Sequence, residues 1–386
     1  MDLADCWQIN LQQGFGGGEV YTGFLTEALQ ALGIRSHVFV SRTTSHWPEL
    51  LPTGTEIIPV GSAEDILSLL PANPAWVLSH GALASIPAQR LAASHFLTAI
   101  AHMPLYGRKI DGFSHHQQVY AVSAYVRDSL RKFLRPDQVY DSPLYGIARQ
   151  IVCEAATEPS VLRRRSRFDW DTRKGRDRLL SWIEPWVEPL LPHPVWARKP
   201  GITLGIVSRL TPIKQFPLLF SMLLPHLLKF PHINLEIIGV GGFASVRDLS
   251  LVLKPLGSRV RFWGHQHDVR STYRMLDYLL TGLPEKEALG LNVIEAQACG
   301  TPVLAVDAPP FTETVLDGKT GFLYHDPRQD DGMAFSALME RVTTLTQPLV
   351  SAEAHEHLAR FSFDAFVSRL SPVVAAARRQ LKMRAV

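Results

Sequence analysis

The chain has 386 residues, 46% of them hydrophobic, with 39 Lys and Arg against 36 Asp and Glu. At about 100–200 residues per domain this length predicts two or three domains. The apolar content excludes a disordered chain, a collagen-like repeat and a small disulfide scaffold.

The net charge of +3 is concentrated in one place: Arg163–Arg178 holds eight basic and three acidic residues, a local +5 that leaves −2 for the rest. A general nucleic-acid-binding character is thereby excluded, and no nucleic-acid partner is expected. Cys6, Cys153 and Cys299 stand far apart with no C-x-x-C pair, which argues against a disulfide framework or a cysteine zinc site. The first ten residues carry acids where a secretory leader needs a basic region. The greasiest stretch, Phe216–Leu228, contains Pro217 and Pro225 and is shorter than the ~20 residues of a membrane span. A cytoplasmic protein is expected, at most peripheral on the inner face of the membrane.

In chain order, Cys6–Asn10 reads as a strand, followed by a loop containing Gly14, Gly16, Gly17 and Gly18. Val20, Tyr21, Phe24, Leu25, Ala28, Leu29 and Leu32 then recur at helical spacing, and Gly33 is placed to end the helix. Ser36–Val40 is the next strand, completing a βαβ unit. Trp76–Ser79, Thr98–Ala101 and Val119–Ser123 follow as short apolar strands with helices between them, such as Ala124–Phe133. Strands of this kind predict a buried parallel sheet. From Arg149 to Arg198 the chain turns basic, then rich in Trp and Pro, and reads as a linker or insertion.

A second series follows: strands at Thr203–Val207, Asn234–Ile238, Val260–Trp263, Tyr278–Leu280 and Val303–Val306, with helices at Leu218–Phe230 and Leu291–Ala298. One or two closing helices are expected over Phe361–Leu381. The predicted fold class is α/β, with two Rossmann-like domains. Residues 1–150 form the first, completed by a C-terminal helix at 363–386; 151–198 is the linker or insertion, and 199–362 the second domain.

The most informative stretch runs from Glu287 to Val303. Glu287 and Glu295 lie eight positions apart, and Gly290 opens the helix between them. Ligands of open α/β sheets bind beyond the carboxyl ends of strands, which is where this loop falls. The unpaired N–H groups of Leu291 and Asn292 at the helix start suit a phosphate or a sugar hydroxyl. For an arbitrary pair of glutamates the bland alternative, a dipole-favoured Glu295 and a solvated Glu287, carries more weight. The surrounding pattern reverses this.

Glu287, Glu295, Ala296, Ala298, Gly300, Pro302 and Val303 together resemble the E-x7-E signature of glycosyltransferase family 4. Gly205 to Lys214, Ile237–Gly241, Phe262–Gly264, Glu313, Asp317-Gly318 and Thr320-Gly321 fall in the family's order. In the first half, Gly16-Gly17-Gly18-Glu19 is similar to its glycine-rich first turn, and His102 ends a strand where the family keeps a histidine.

The resemblance implies a retaining transferase of the GT-B architecture, with two Rossmann-like domains facing across a cleft and the donor held by the second. It assigns the leaving diphosphate to Arg209 and Lys214, and the transferred sugar to Glu287. Glu295 accepts from the ribose hydroxyls, and His102 donates a hydrogen bond to the sugar or helps position the acceptor. Gly290, Leu291, Asn292, Gly241, Gly16 and Gly17 bring backbone close to the donor. The implied cosubstrate is a nucleotide-diphosphate sugar, and the implied acceptor a glycan or a lipid-linked molecule of envelope polysaccharide or lipopolysaccharide assembly.

No cofactor and no metal are expected, because the resemblance gives the leaving diphosphate to Arg209 and Lys214 rather than to a metal. The histidines at 115, 116, 265, 267, 355 and 357 lack ligand spacing. The family usually has Pro-Ser a few residues before the first Glu; here the stretch reads Leu283-Pro284-Glu285-Lys286-Glu287, and Lys286 beside Glu287 is unusual. The basic run lies outside the matched motifs; followed by Leu179, Leu180, Ile183, Trp186, Val187 and Leu190 at helical spacing, it suits contact with an anionic membrane. It is expected to report the acceptor's location rather than catalysis. A nucleotide-sugar epimerase, a phosphorylase and a non-catalytic glycan- or nucleotide-sugar-binding subunit are the rival readings. The phosphorylase lacks a pyridoxal-lysine motif, and the intact Glu287, Glu295, Arg209 and Lys214 argue against the subunit.

Overall fold

A computed structural model describes residues 4–105, 110–148, 162–170, 175–187, 194–345, 349 and 352–384. Two compact units emerge: residues 1–148 with 359–386, and residues 149–358. All of 151–161 and 188–193, Cys153 and Leu190 among them, lie outside the described residues.

The first unit is built on β1 (Asp5–Asn10), β2 (Arg35–Ser41), β3 (Glu56–Val60), β4 (Trp76–His80), β5 (Phe96–Ala101) and β6 (Gln118–Ala121). They form one sheet in the order β3-β2-β1-β4-β5-β6, every pairing parallel. In the second unit, β7 (Ile202–Val207), β8 (Ile233–Ile238), β9 (Val260–Gly264), β10 (Tyr278–Leu280), β11 (Val303–Val306) and β12 (Gly321–Tyr324) pair as β12-β11-β10-β7-β8-β9. Counted within each unit the order is the same, the doubly wound arrangement of a Rossmann sheet. Its direction of winding reverses between β1 and β4, and again between β7 and β10. Those two crevices at the carboxyl edge are where an open sheet receives ligands.

The apolar runs form strands because helices cover both faces. β4, β5 and β8 are buried at every position, as parallel sheets require. The sequence reading missed two strands, β3 and β12, and both are edges. β3 carries Pro59, which lacks the N–H a central ladder needs but is tolerated at an edge. β12 opens on Gly321, where an added Cβ would meet the Val303 carbonyl oxygen at 2.2 Å, so its glycine serves strand packing.

The C-terminal residues form a single helix, Phe363–Arg384, which packs on the helix Gly17–Ala31. Phe366 meets Tyr21 and Phe24 edge-on at 5.8 and 5.2 Å. Among the described residues no helix is long and apolar enough to cross a membrane.

The basic stretch, read as part of a linker or insertion, packs on the second unit. Residues 162–170 lie along the carboxyl ends of β8 and β9: the Arg165 N–H donates to the Trp263 carbonyl at 2.9 Å, and Phe168 bridges to Gly241. Gly264, at φ +70°, lets this strap approach, since a Cβ there would lie 2.1 Å from the Ser166 carbonyl oxygen.

Candidate active site

In the second unit, β7 runs out into Arg209 and a short 3₁₀ turn, Pro212–Lys214. Gln215 follows at φ 54°, a left-handed conformation that costs a non-glycine residue about 1–2 kcal/mol. Beyond the neighbouring β10, Gly282 lets the two loops touch: a Cβ there would lie 2.8 Å from the Lys214 carbonyl oxygen. The side chains then meet, and the Lys214 ammonium donates to the Glu287 carboxylate. Both are mostly buried, 25% and 17% exposed, so neither charge is dissipated in water. The other Glu287 oxygen accepts from the Ala288 N–H at 3.3 Å.

Helix Leu291–Ala298 starts from Gly290 at φ 82°, a turn that favours glycine. The Gly290 carbonyl accepts from Val293 and Ile294 at 2.9 and 3.3 Å. The amides of Leu291 and Asn292 precede the first intrahelical bond and have no partner among the described residues. The Asn292 side chain donates to the Val207 carbonyl at 3.1 Å, tying the helix to the end of β7.

One turn on, Glu295 accepts from the Tyr273 hydroxyl at 3.0 Å. Burial pushes its carboxyl up to about 7, and the Tyr273 bond only partly offsets this. Tyr273, itself raised well above 10 by burial and then by the Glu295 charge, was missed from sequence. It lies on Val269–Arg274, with no spacing that links it to Glu295.

The strap supplies a second unforeseen partner. Asp169 pairs with Arg209 at 3.2 Å, and the Asp169 N–H donates to the Gly241 carbonyl at 2.9 Å. The Gly241 N–H donates to the Arg167 carbonyl at 3.1 Å. Gly241, expected at the donor, is therefore spent on the strap and on Leu210, whose carbonyl oxygen would lie 2.2 Å from an added Cβ. Arg163, Arg164 and Arg165, with Phe168, Val240 and His265, line a cavity of about 520 Å³ at this edge. The basic run, outside the matched motifs in sequence, therefore abuts the residues read as the donor site. The acid within the basic run was the available signal.

In the first unit, Gly16 caps and Gly17 begins the helix Gly17–Ala31. An added Cβ on Gly18 would lie 4.0 Å from His102 Cγ, so the glycine turn and His102 share one edge of the sheet. His80, at the end of β4, stands 3.1 Å from His102 and was not singled out from sequence. Burial holds His102 down to about 4, so it is neutral at pH 7. Among the described residues no group of three or more His, Cys, Asp or Glu converges as a metal site. His357 instead bonds the Thr314 carbonyl at 3.0 Å.

Two six-stranded parallel sheets of Rossmann order define the GT-B class of fold. Residues 201–343 match the family model described as glycosyl transferases group 1. A D-inositol 3-phosphate glycosyltransferase of Rhodococcus erythropolis is 33% identical over 177 residues, covering 43% of this chain and 39% of the relative. The match thus spans about two fifths of the curated relative's length. Among solved structures, Anabaena HepE in complex with UDP and glucose superposes with a TM-score of 0.68 at 16% identity, over 96% of this chain and 99% of that one. The lipopolysaccharide outer core galactosyltransferase WaaB gives 0.63 at 15%, over 97% and 99%.

Proposed function

We propose that this chain is a retaining, metal-independent glycosyltransferase that moves a sugar from a nucleotide-diphosphate sugar to a hydroxyl of a glycan or glycolipid. One observation carries the reading: Lys214 paired with Glu287, the unpartnered amides of Leu291 and Asn292, and Glu295 on Tyr273 all gather around the winding reversal between β7 and β10. The family match over 201–343 and the names of the relatives support it.

In this reading the helix amides and Arg209 meet the diphosphate, whose charge grows as the sugar leaves. Lys214 adds a charge-assisted hydrogen bond, held in place by Glu287 until the donor arrives. Glu287 orients the sugar hydroxyls and Glu295 accepts from the ribose. The incoming hydroxyl attacks from the leaving-group side, and a phosphate oxygen takes its proton.

Thermal-shift measurements against UDP-, GDP- and ADP-sugars test the reading. One donor is expected to raise the melting temperature, and Glu295→Ala to abolish the rise; an undiminished rise in that variant overturns the site.

The acceptor side is read as envelope polysaccharide or lipopolysaccharide assembly on the inner face of the membrane. The helix Gly175–Val187 favours this, because Leu179, Trp182 and Trp186 on it are 56%, 69% and 73% exposed beside the basic strap. Vesicles containing anionic lipid should sediment the protein. Wild-type sedimentation by a chain lacking the Arg163–Arg165 charges, or by Trp182→Ser/Trp186→Ser, refutes it.

A further inference from the structure

Behind His102 runs a line of hydrogen bonds whose polarity is fixed from its buried end. The Thr26 hydroxyl donates to the Thr22 carbonyl at 2.8 Å, so toward Gln8 it offers only lone pairs. The Gln8 atom 2.9 Å from that hydroxyl is therefore the amide nitrogen, which also donates to the Ser36 hydroxyl at 3.1 Å. The opposite end of the same amide, its oxygen, lies 2.9 Å from His80 Nε2. An amide oxygen carries no proton, so His80 Nε2 must.

His80 is buried and kept neutral by that burial and by its neighbour, leaving Nδ1 as a bare lone pair. Two groups face that lone pair at 3.1 Å, the Thr22 hydroxyl and His102 Nε2. Thr22 has one proton, and the Gly18 carbonyl stands 2.9 Å away to receive it, while Asn10 donates to Thr22 at 2.9 Å. If His102 Nε2 were also bare, two lone pairs would oppose each other across 3.1 Å. His102 Nε2 therefore carries the proton of the neutral ring, and its Nδ1 carries none. That Nδ1 has no hydrogen-bond partner among the described residues. The ring is only partly covered, flanked by Gly18 and, at 5.0 Å, by Tyr21.

We propose that Gln8 and His80 are positioning residues that lock His102 in its Nε2–H tautomer, so that His102 meets a ligand as a hydrogen-bond acceptor. The chemical class selected is a hydroxyl, as on a sugar; a phosphate or carboxylate, bringing only lone pairs, is disfavoured at this point. The proposal deepens the transferase reading and rests on it for the ligand's identity. It reverses the donor role that the family resemblance suggests for His102.

Long-range ¹H–¹⁵N NMR of the full chain, labelled in histidine and recorded near neutral pH, reads the tautomer directly. His102→Gln identifies the resonances by their loss. The wild type is expected to show a protonated Nε2 and an unprotonated Nδ1 for His102. Thr26→Val removes the hydroxyl that orients Gln8 and is expected to mix or invert the pattern; Thr26→Ser, which keeps that hydroxyl, is expected to preserve it. Gln8→Leu gives a second, independent release of His80, and circular dichroism confirms that each variant is folded. A proton on His102 Nδ1 in the wild type overturns the proposal, as does an unchanged pattern in folded Thr26→Val and Gln8→Leu. No sugar nucleotide enters this experiment, so its outcome is separate from failure of the transferase reading, which the donor screen would reveal.

Discussion

Glu295→Gln is expected to make the protein more stable while making it a poorer donor binder. The native carboxyl titrates at about 7, against an ordinary value of 4.5. Between those two pH values the folded chain keeps a proton that the unfolded chain has released, so stability falls as pH rises through that window. At 1.36 kcal/mol per pH unit the full cost above pH 7 is at most roughly 3 kcal/mol.

Glutamine cannot ionise, yet its side-chain oxygen still accepts from Tyr273. Urea unfolding of both proteins at pH 5 and pH 8 measures the difference. The variant should gain on the wild type by up to about 3 kcal/mol on going to pH 8. A stability difference that is the same at both pH values refutes the burial argument.

The binding arm follows from the same titration. The carboxylate form rises from about a tenth at pH 6 to about nine tenths at pH 8. A nucleotide sugar, whose diphosphate does not titrate there, should bind the wild type roughly ten-fold more tightly at pH 8. In Glu295→Gln that pH dependence should vanish.

Other outcomes follow from particular contacts. Asp169→Asn removes one partly exposed ion pair of Arg209 and should tighten donor binding by at most about five-fold at low salt, in line with pairs worth at most ~1 kcal/mol; weaker binding by calorimetry counts against a competing role for Asp169. Arg261→Ala strands the buried Glu236 carboxylate, 1% exposed and also bonded by Trp263 Nε1 at 2.6 Å, and should cost about 3–5 kcal/mol in urea unfolding. The double change Arg261→Met/Glu236→Leu should recover most of that loss. Gly290→Ala places a Cβ 3.0 Å from the Val293 methyl at φ 82° and should cost about 1–2 kcal/mol, measured in the same way.

Local chemistry determined much of this molecule. Glycine-punctuated apolar runs alternating with amphipathic helices are compatible with little except two parallel α/β sheets. The eight-residue spacing of Glu287 and Glu295 across the start of one helix placed both at a strand's carboxyl end, because strand, loop and helix are contiguous in the chain.

What tertiary structure alone decided involves partners distant in sequence. Tyr273 reaches Glu295, Asp169 reaches Arg209, and Gln8, on one strand, sets the proton on His80 at the end of the next. Tertiary structure also set the basic run, read from sequence as part of a linker or insertion, at the edge of the second sheet, where Gly264 and Gly241 leave room for its backbone. Of the opening +3, Arg163, Arg164 and Arg165 now line a cavity at that edge. Charge and spacing along a chain show which groups are available; which of them face one another depends on how the strands are ordered in the sheet.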